Sequence, residues 1–388
     1  MKLDPAIADL LPEMTAWRRD FHAHPETAYQ ERRTAGRVAE LLASFGCLVT
    51  TGLAGTGVVG SLPGKGQRAV MLRADMDGLA LDEAPSKRPH HSRHQGRMHG
   101  CGHDGHMAML LGAAKCLSAR KNPDATVHFL FQPAEENEAG ARKLVEEGLF
   151  SRFPTDAIFG LHNWPGLPAG KMAVREGPMM AACDLLEITL HGKGGHAAMP
   201  HQTQDVVLCA AQIVAALQGL VAREIDPLDS AVVSITQIEA GKTWNVMPNQ
   251  ALLRGTVRAL KPETRAFLER RVHEIVSALA LAAGQQADIV YDRRYPPTIN
   301  AKGPADLAAR AAASILGEEE VLTNLPPSMG AEDFAFLLAE RPGAYAWLGA
   351  GADGAFGLHH PAYDFNDAVL PIGASWWLRI VDQFQTVE

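Results

Sequence analysis

The sequence predicts an α/β protein. A catalytic domain built on a mostly parallel central sheet is interrupted by a smaller inserted α+β lid of ferredoxin-like order. Three observations carry this. Strand-like and helix-like segments alternate through the N-terminal half, the pattern of a parallel sheet with helices on its faces. From about Leu185 the order becomes β-α-β-β-α-β, a split βαβ unit of roughly a hundred residues. After "YPPTIN" the chain returns to helix, then strand. A chain of 388 residues exceeds one ordinary core, so two domains are expected. The expected boundaries are 1–183 with 297–388 for the discontinuous catalytic domain and 184–296 for the lid, which also offers an edge strand and a helix face for dimerisation.

The elements follow in chain order. Residues 34–46 read as a helix ending at Gly46. "GVVGSLPG" and "AVMLRADMD" read as strands separated by Pro-Gly punctuation. "GHMAMLLGAAKCLSAR" is a helix apolar nearly all round and therefore buried. "ATVHFLFQP" is a strand, "EAGARKLVEEGL" a helix and "DAIFGLHNWP" a strand. In the insert, "LLEITLHGK", "SAVVSITQIEAG", "QALLRGTVRAL" and "ADIVYDRRY" are strands. Residues 205–223 and the stretch opening at Pro262 are helices, with the proline near the helix start. "AYAWLGAG" is a late strand, followed by a loop holding His359 and His360.

Composition excludes several classes. The hydrophobic share of 47% and charged share of 21% are those of a globular protein. A net charge of -8 argues against general nucleic-acid binding. No run of eighteen apolar residues and no signal-peptide pattern at the start imply a cytoplasmic protein without a membrane partner. Cys47, Cys101, Cys116, Cys183 and Cys209 are odd in number and scattered, so no disulfide framework is implied.

The chemistry-bearing residues collect after strands. Asp75 and Asp77 follow "AVML", Glu135 and Glu136 follow "VHFLFQPA", and His162 follows "AIFGL". "GRMHGCGHDGHMAML" packs His99, Cys101, His103, Asp104 and His106 just ahead of a helix. In open α/β sheets, ligands sit at the carboxyl ends of strands, where residues distant in sequence meet. Carboxylates, imidazoles and one thiolate suit a divalent transition metal, and a metal pair suits hydrolysis. Adjacent carboxylates such as Glu135-Glu136 repel unless cations neutralise them. One can bind metal while the other serves as general base. Alone, each feature has a plainer reading: a solvated histidine loop, acids stabilising a helix N-terminus, a hydrogen-bonded strand-end histidine. Together they fall at one edge of one sheet.

The motifs "WRRDFHAHPE", "RADMDGL", "MHGCGHDGHMAMLLGAA", "FQPAEEN", "GLHNWP", "GKGGHAAMPH", "NVMPNQALLRGTVR", "GAEDFAF" and "LHHPAYDFND" occur in this order. From about residue 17 to 378 the chain resembles the metal-dependent aminoacylase and hippurate hydrolase family. That family includes the plant auxin-conjugate amidohydrolases and is akin to glutamate-releasing carboxypeptidases. The resemblance implies two divalent metal ions per subunit: manganese, zinc, cobalt or nickel. It implies Cys101, His103, Glu136, His162 and His359 as metal ligands, Glu135 as general acid/base and Asp77 as an acid orienting a ligand from behind. His359 rather than His360 matches the Leu-His-x-Pro pattern. Asp104 and His106 match no ligand; Asp104 reads as a helix cap and His106 as packing or as support behind the ligands.

In the insert, the resemblance implies His196 as an oxyanion-stabilising histidine, with Asn245 and Arg258 as a pair gripping the substrate near its carbonyl and carboxylate. An anionic substrate suits a guanidinium fork, and a developing oxyanion suits donors. The chain departs from the family pattern at "GLAL", residues 78–81, and at Gly100, where the family has alanine. The segment "DEAPSKRPHHSRHQ" carries extra histidines and basic residues that match no family role.

The expected activity is hydrolysis of the amide bond in N-acyl or aroyl amino acids such as hippurate or N-acetyl amino acids, by a homodimer or higher homo-oligomer. Alternatives are a dipeptidase or carboxypeptidase, a biosynthetic deacylase, or a non-catalytic small-molecule-binding protein on the same scaffold. The intact Glu135 counts against the last.

Overall fold

The structure is a computed structural model that describes residues 1–120 and 123–386. Along the chain, helices α1 (Leu11–Ala23) and α2 (Arg32–Ser44) precede strands β1 (Leu48–Leu53), β2 (Gly57–Leu62) and β3 (Ala69–Asp75). Next come α3 (His103–Ala119), β4 (Thr126–Gln132), α4 (Gly140–Glu146), β5 (Ala157–Pro168) and β6 (Met172–Ala173). The middle of the chain forms β7 (Ala182–His191), α5 (Val206–Gly219), β8 (Ala231–Ala240), β9 (Gln250–Ala259), α6 (Pro262–Ala282) and β10 (Gln286–Tyr295). Helix α7 (Lys302–Leu316), β11 (Val321–Leu322), β12 (Gly343–Gly351) and α8 (Leu370–Thr386) complete it.

Two compact units result: Met1–Met179, Ile299–Pro326 and Asp333–Glu388 form one, and Met180–Thr298 with Pro327–Glu332 the other. The first holds an eight-stranded sheet in the order β1-β2-β4-β3-β5-β12-β6-β11. Its middle, β4-β3-β5-β12, is parallel, so those strands end at one edge. Every residue of β3 is buried, as expected of a strand covered on both faces. Helices α1, α3 and α8 pack together. Their Trp17, Phe21, Leu110, Trp376 and Trp377 join Phe129 and Phe159 of the sheet in one core. Helix α3 is buried on nearly every face, as its all-round apolar sequence requires.

The second unit holds an antiparallel sheet in the order β8-β9-β7-β10, the ferredoxin-like order. Strand β7 alternates buried and outward residues, the period-two pattern of a sheet with one covered face. Helices α5 and α6 cover that face, with Cys209, Ile213, Leu217, Leu268 and Val272 in the core. With its π-helical continuation to Glu224, α5 is long and apolar enough by composition to cross a membrane.

Several elements differ from the sequence reading. "EAGARKLVEEGL" holds the helix Gly140–Glu146, and a further short helix, Leu149–Arg152, follows it after Gly148, whose φ of +80° breaks the hydrogen-bond ladder. Helix α1, strand β1 and helix α8 have no counterpart in that reading. The prolines and acids of the first residues hide α1, whose proline sits in its first turn where no N–H is needed.

Candidate metal centre

The parallel strand ends and the start of α3 bring the donor side chains together. The first turn of α3 follows Gly102, which holds φ +92°. A Cβ there would lie 2.1 Å from Asn163 Oδ1 and 2.8 Å from the Tyr363 hydroxyl, so only glycine fits between Cys101 and His103. Asp104 is not the cap: it stands inside the first turn, and its Oδ1 accepts the Gly105 N–H at 3.0 Å.

Two histidines are locked in one tautomer each. His103 Nδ1 donates to the Asp77 carbonyl at 2.8 Å. His162 Nδ1 donates to the Asn163 carbonyl at 2.7 Å. Both rings therefore present a bare Nε2. That of His162 lies 3.3 Å from Cys101 Sγ. That of His103 is buried and finds no hydrogen-bond partner among the described residues, a costly state unless a cation occupies the lone pair. Ligand atoms of Cys101, Glu136 and His359 lie within 4.8 Å of one another, as do those of His103, Glu135 and Glu136. His359 Nε2 is 3.1 Å from Glu136 Oε1.

Electrostatics point the same way. Burial pushes the Cys101 thiol well up, and Glu136, Glu135 and Asp75 add to this. Burial alone would lower His103, yet Asp75, Asp77 and Glu136 outweigh it and lift the ring to about 10. Left to themselves, the Cys101 thiol and the His103 imidazole keep their protons. A divalent cation reverses that balance, since thiolate, neutral imidazole and carboxylate are the forms that ligate. The residues present thus fit a mixed nitrogen, sulfur and oxygen site for transition-metal ions.

The supporting residues hold the donors in place. The Asp77 carboxylate accepts the Glu135 N–H at 3.1 Å and the Glu136 N–H at 3.0 Å, fixing the strand-end turn that carries both acids. His106 is pinned between Asp75 Oδ1, at 2.6 Å, and Asn163. It packs behind the donors. Asp75 also takes Arg73 Nη1 at 2.8 Å. Burial would raise the Asp75 carboxyl, but His103, His106 and Arg73 hold it well below the usual carboxylate range. Asp333 of the "GAEDFAF" motif accepts from Arg73, Gln132 and the Ala141 N–H.

A second buried network was invisible in the sequence. Arg18, fully buried on α1, binds Asp104 at 3.0 Å, Asp364 in a shorter contact, and Asp367 at 3.5 Å. It ties the residue after His103 to the loop that follows His359. His22 Nδ1 meets Asp104 at 2.8 Å, and its Nε2 meets Glu83 at 3.4 Å. The basic, histidine-rich segment finds its place here. His90 meets Asp364 at 3.1 Å, Arg88 donates to the Tyr363 and Ala362 carbonyls, and the Ser92 N–H donates to Glu83. That segment clamps the 362–364 loop.

In the second unit, His196 and Asn245 come together and Arg258 stands apart. His196 pairs with Val246 in a short two-stranded ribbon, and the Ala197 N–H donates to the Asn245 carbonyl. Both side chains are exposed. Arg258 is half-buried near the other end of β9. Eight residues of strand from Gln250 span about 26 Å at ~3.3 Å per residue. The expected pairing of Asn245 with Arg258 on one small ligand is not made within one chain.

Known proteins are similar to this chain over nearly its whole length. Residues 71–383 match the model of peptidase family M20/M25/M40. A hippurate hydrolase of Campylobacter jejuni is 38% identical over 381 residues, covering 98% of each chain. An N-acetylcysteine deacetylase of Bacillus subtilis is 38% identical over 366 residues, covering 94% of each. The crystal structure of the Bacillus subtilis YXEP protein, described as a dinuclear metal-binding peptidase, superposes with a TM-score of 0.85 at 34% identity. It covers 98% of this chain and 100% of its own. Strand-end donors, a glycine-hinged helix start and full-length similarity lead to one assignment: this chain belongs to peptidase family M20/M25/M40.

Proposed function

We propose that this chain is a metal-dependent amidohydrolase that cleaves N-acyl and aroyl amino acids, such as hippurate and N-acetyl amino acids, to a carboxylic acid and a free amino acid. The observation that carries this is the buried, bare His103 Nε2 among Cys101, Glu135, Glu136 and His359 at one sheet edge. The names of the hippurate- and N-acetylcysteine-cleaving relatives support the substrate class.

Cys101, His103, Glu136, His162 and His359 would hold two divalent cations, which supply Lewis acidity and lower the pKa of water in contact with them. The metal is manganese, zinc, cobalt or nickel. Glu135 takes a proton from the water as its oxygen bonds to the acyl carbon. When the C–N bond breaks, Glu135 returns that proton to the leaving amine. Asp77 keeps Glu135 and Glu136 aimed through their backbone N–H groups. His196 and Asn245 donate to the developing oxyanion. Arg258 takes the amino acid carboxylate in a guanidinium fork.

We infer further that the protein works as a homodimer. The length of β9 between Gln250 and Arg258 supports supply of His196 with Asn245 by one copy and Arg258 by the other. Exposed Val207, Leu208 and Ile238 on α5 and edge strand β8 support pairing through the second unit. Mixing inactive His196→Ala with inactive Arg258→Ala chains should then restore part of the activity; mixtures as inactive as their parents would contradict it.

The function is tested by stripping metal and refilling with each of the four ions. Hippurate, N-acetyl amino acids and free dipeptides are then assayed. Metal-dependent release of an amino acid from the acylated substrates is expected. Turnover of dipeptides alone would favour a dipeptidase.

A further inference from the structure

The turn that carries the two acids is strained. Ala134, Asn137 and Ala139 all take positive φ, at 55°, 65° and 52°. Non-glycine residues rarely adopt this backbone, and it persists only where its surroundings over-determine it. Asp77 accounts for the N–H groups of Glu135 and Glu136 but not for that of Ala134.

The third donor is held from another part of the fold. Glu31, ahead of α2, is fully buried. Its Oε1 accepts the Ala134 N–H at 2.9 Å, and its Oε2 accepts the Thr56 hydroxyl at 2.6 Å. The loop around it touches the same region twice more. The Tyr29 hydroxyl donates to the Glu138 carbonyl at 3.0 Å, and the Gly78 N–H beside Asp77 donates to the Glu26 carbonyl at 2.7 Å. Three consecutive N–H groups, 134 to 136, thus end on two buried carboxylates from different elements.

We propose that Glu31 is a positioning residue. By gripping the Ala134 N–H it holds the strained turn in the one conformation that aims Glu135 at the scissile amide and Glu136 at the cations. Glu31 touches no substrate. The proposal rests on the reading of Glu135 as general acid/base. A side-chain amide keeps a carbonyl acceptor for the Ala134 N–H and an N–H₂ for the Thr56 oxygen, so Glu31→Gln preserves the grip, whereas Glu31→Ala removes it.

Two readouts test this. The first is kcat and KM of the metal-loaded enzyme. Glu31→Ala should lower kcat by about 10²-fold, the scale of a misplaced catalytic group, with KM within about threefold, and Glu31→Gln should recover most of the loss. The second is hydrogen exchange of the 133–140 peptide in metal-free protein. It should speed up at least about tenfold in Glu31→Ala and stay near wild type in Glu31→Gln, while the α8 peptide is unchanged. The exchange readout stands even if the substrate class is wrong, in which case wild type fails on the whole panel. Unchanged exchange and unchanged kcat in Glu31→Ala overturn the proposal, as does Glu31→Gln behaving like Glu31→Ala. Should Glu31→Ala not fold, Thr56→Val decides: faster exchange of the turn supports the grip, and wild-type exchange overturns it.

Discussion

The strand-end cluster of the first unit and the candidate residues of the second are built on opposite principles. Around Cys101 and His103, the supporting Asp75, Asp77, His106 and Asn163 are buried and hydrogen-bonded, and His103 Nε2, without a hydrogen-bond partner among the described residues, faces other donors. In the second unit, His196 and Asn245 are exposed on a short ribbon, and Arg258 lies about eight strand residues away from Gln250. Under the proposed function, the difference separates two tasks. Holding cations and aiming a base requires fixed dipoles with no reorganisation, which burial provides. Recognising a small anion at a different place requires only reachable donors.

The comparison breaks first at Arg18. If the first unit depends on buried ionic pairs, Arg18→Met should lower unfolding free energy by about 3–5 kcal/mol, because Asp104 and Asp364 lose the buried guanidinium they share. Denaturant unfolding measures this, and a loss under 1 kcal/mol would show that the network is dispensable. His196→Ala should lower kcat by roughly 10²–10³-fold with stability unchanged, the usual cost of an oxyanion donor. A folding defect in its place would assign His196 a structural role.

Glu31 sharpens the comparison through pH. Burial, with the Asp77 charge adding to it, pushes its carboxyl up to about 7, against the lowering effect of Thr56 and the Ala134 N–H. A carboxyl with a raised folded-state pKa contributes stability that is full below its unfolded value and lost as pH rises through the folded value. Metal-free wild type should therefore lose on the order of 2 kcal/mol relative to Glu31→Gln between pH 5 and 8. Parallel stability curves for the two proteins would contradict the raised value. The smallest effect is expected at Arg258, where Arg258→Ala should raise KM about tenfold and leave kcat nearly intact. A kcat loss without a KM change would mean the guanidinium acts in the transition state.

The parts of this site that were legible in the sequence are those carried by short contiguous segments. "CGHD" and "QPAEE" each place two reactive side chains within two positions of one another, and the apolar periods around them fix which strand or helix they flank. Arg18 left no such trace, because its partner Asp364 lies 346 residues away. Nor did Glu31, which meets Ala134 across 103 residues. Burying an ion pair needs no local pattern, only a fold that brings both ends together. Proximity in sequence also misled: thirteen residues separate Asn245 from Arg258, yet an extended strand carries that spacing across the whole second sheet.

The account turns on Glu135 as the group that moves the proton. The most direct test is Glu135→Gln, with bound metal per chain and kcat on N-acyl amino acids measured on the same sample. The account predicts wild-type metal content and a kcat lower by about 10³–10⁴-fold. A metal-loaded variant that turns over within tenfold of wild type would contradict it.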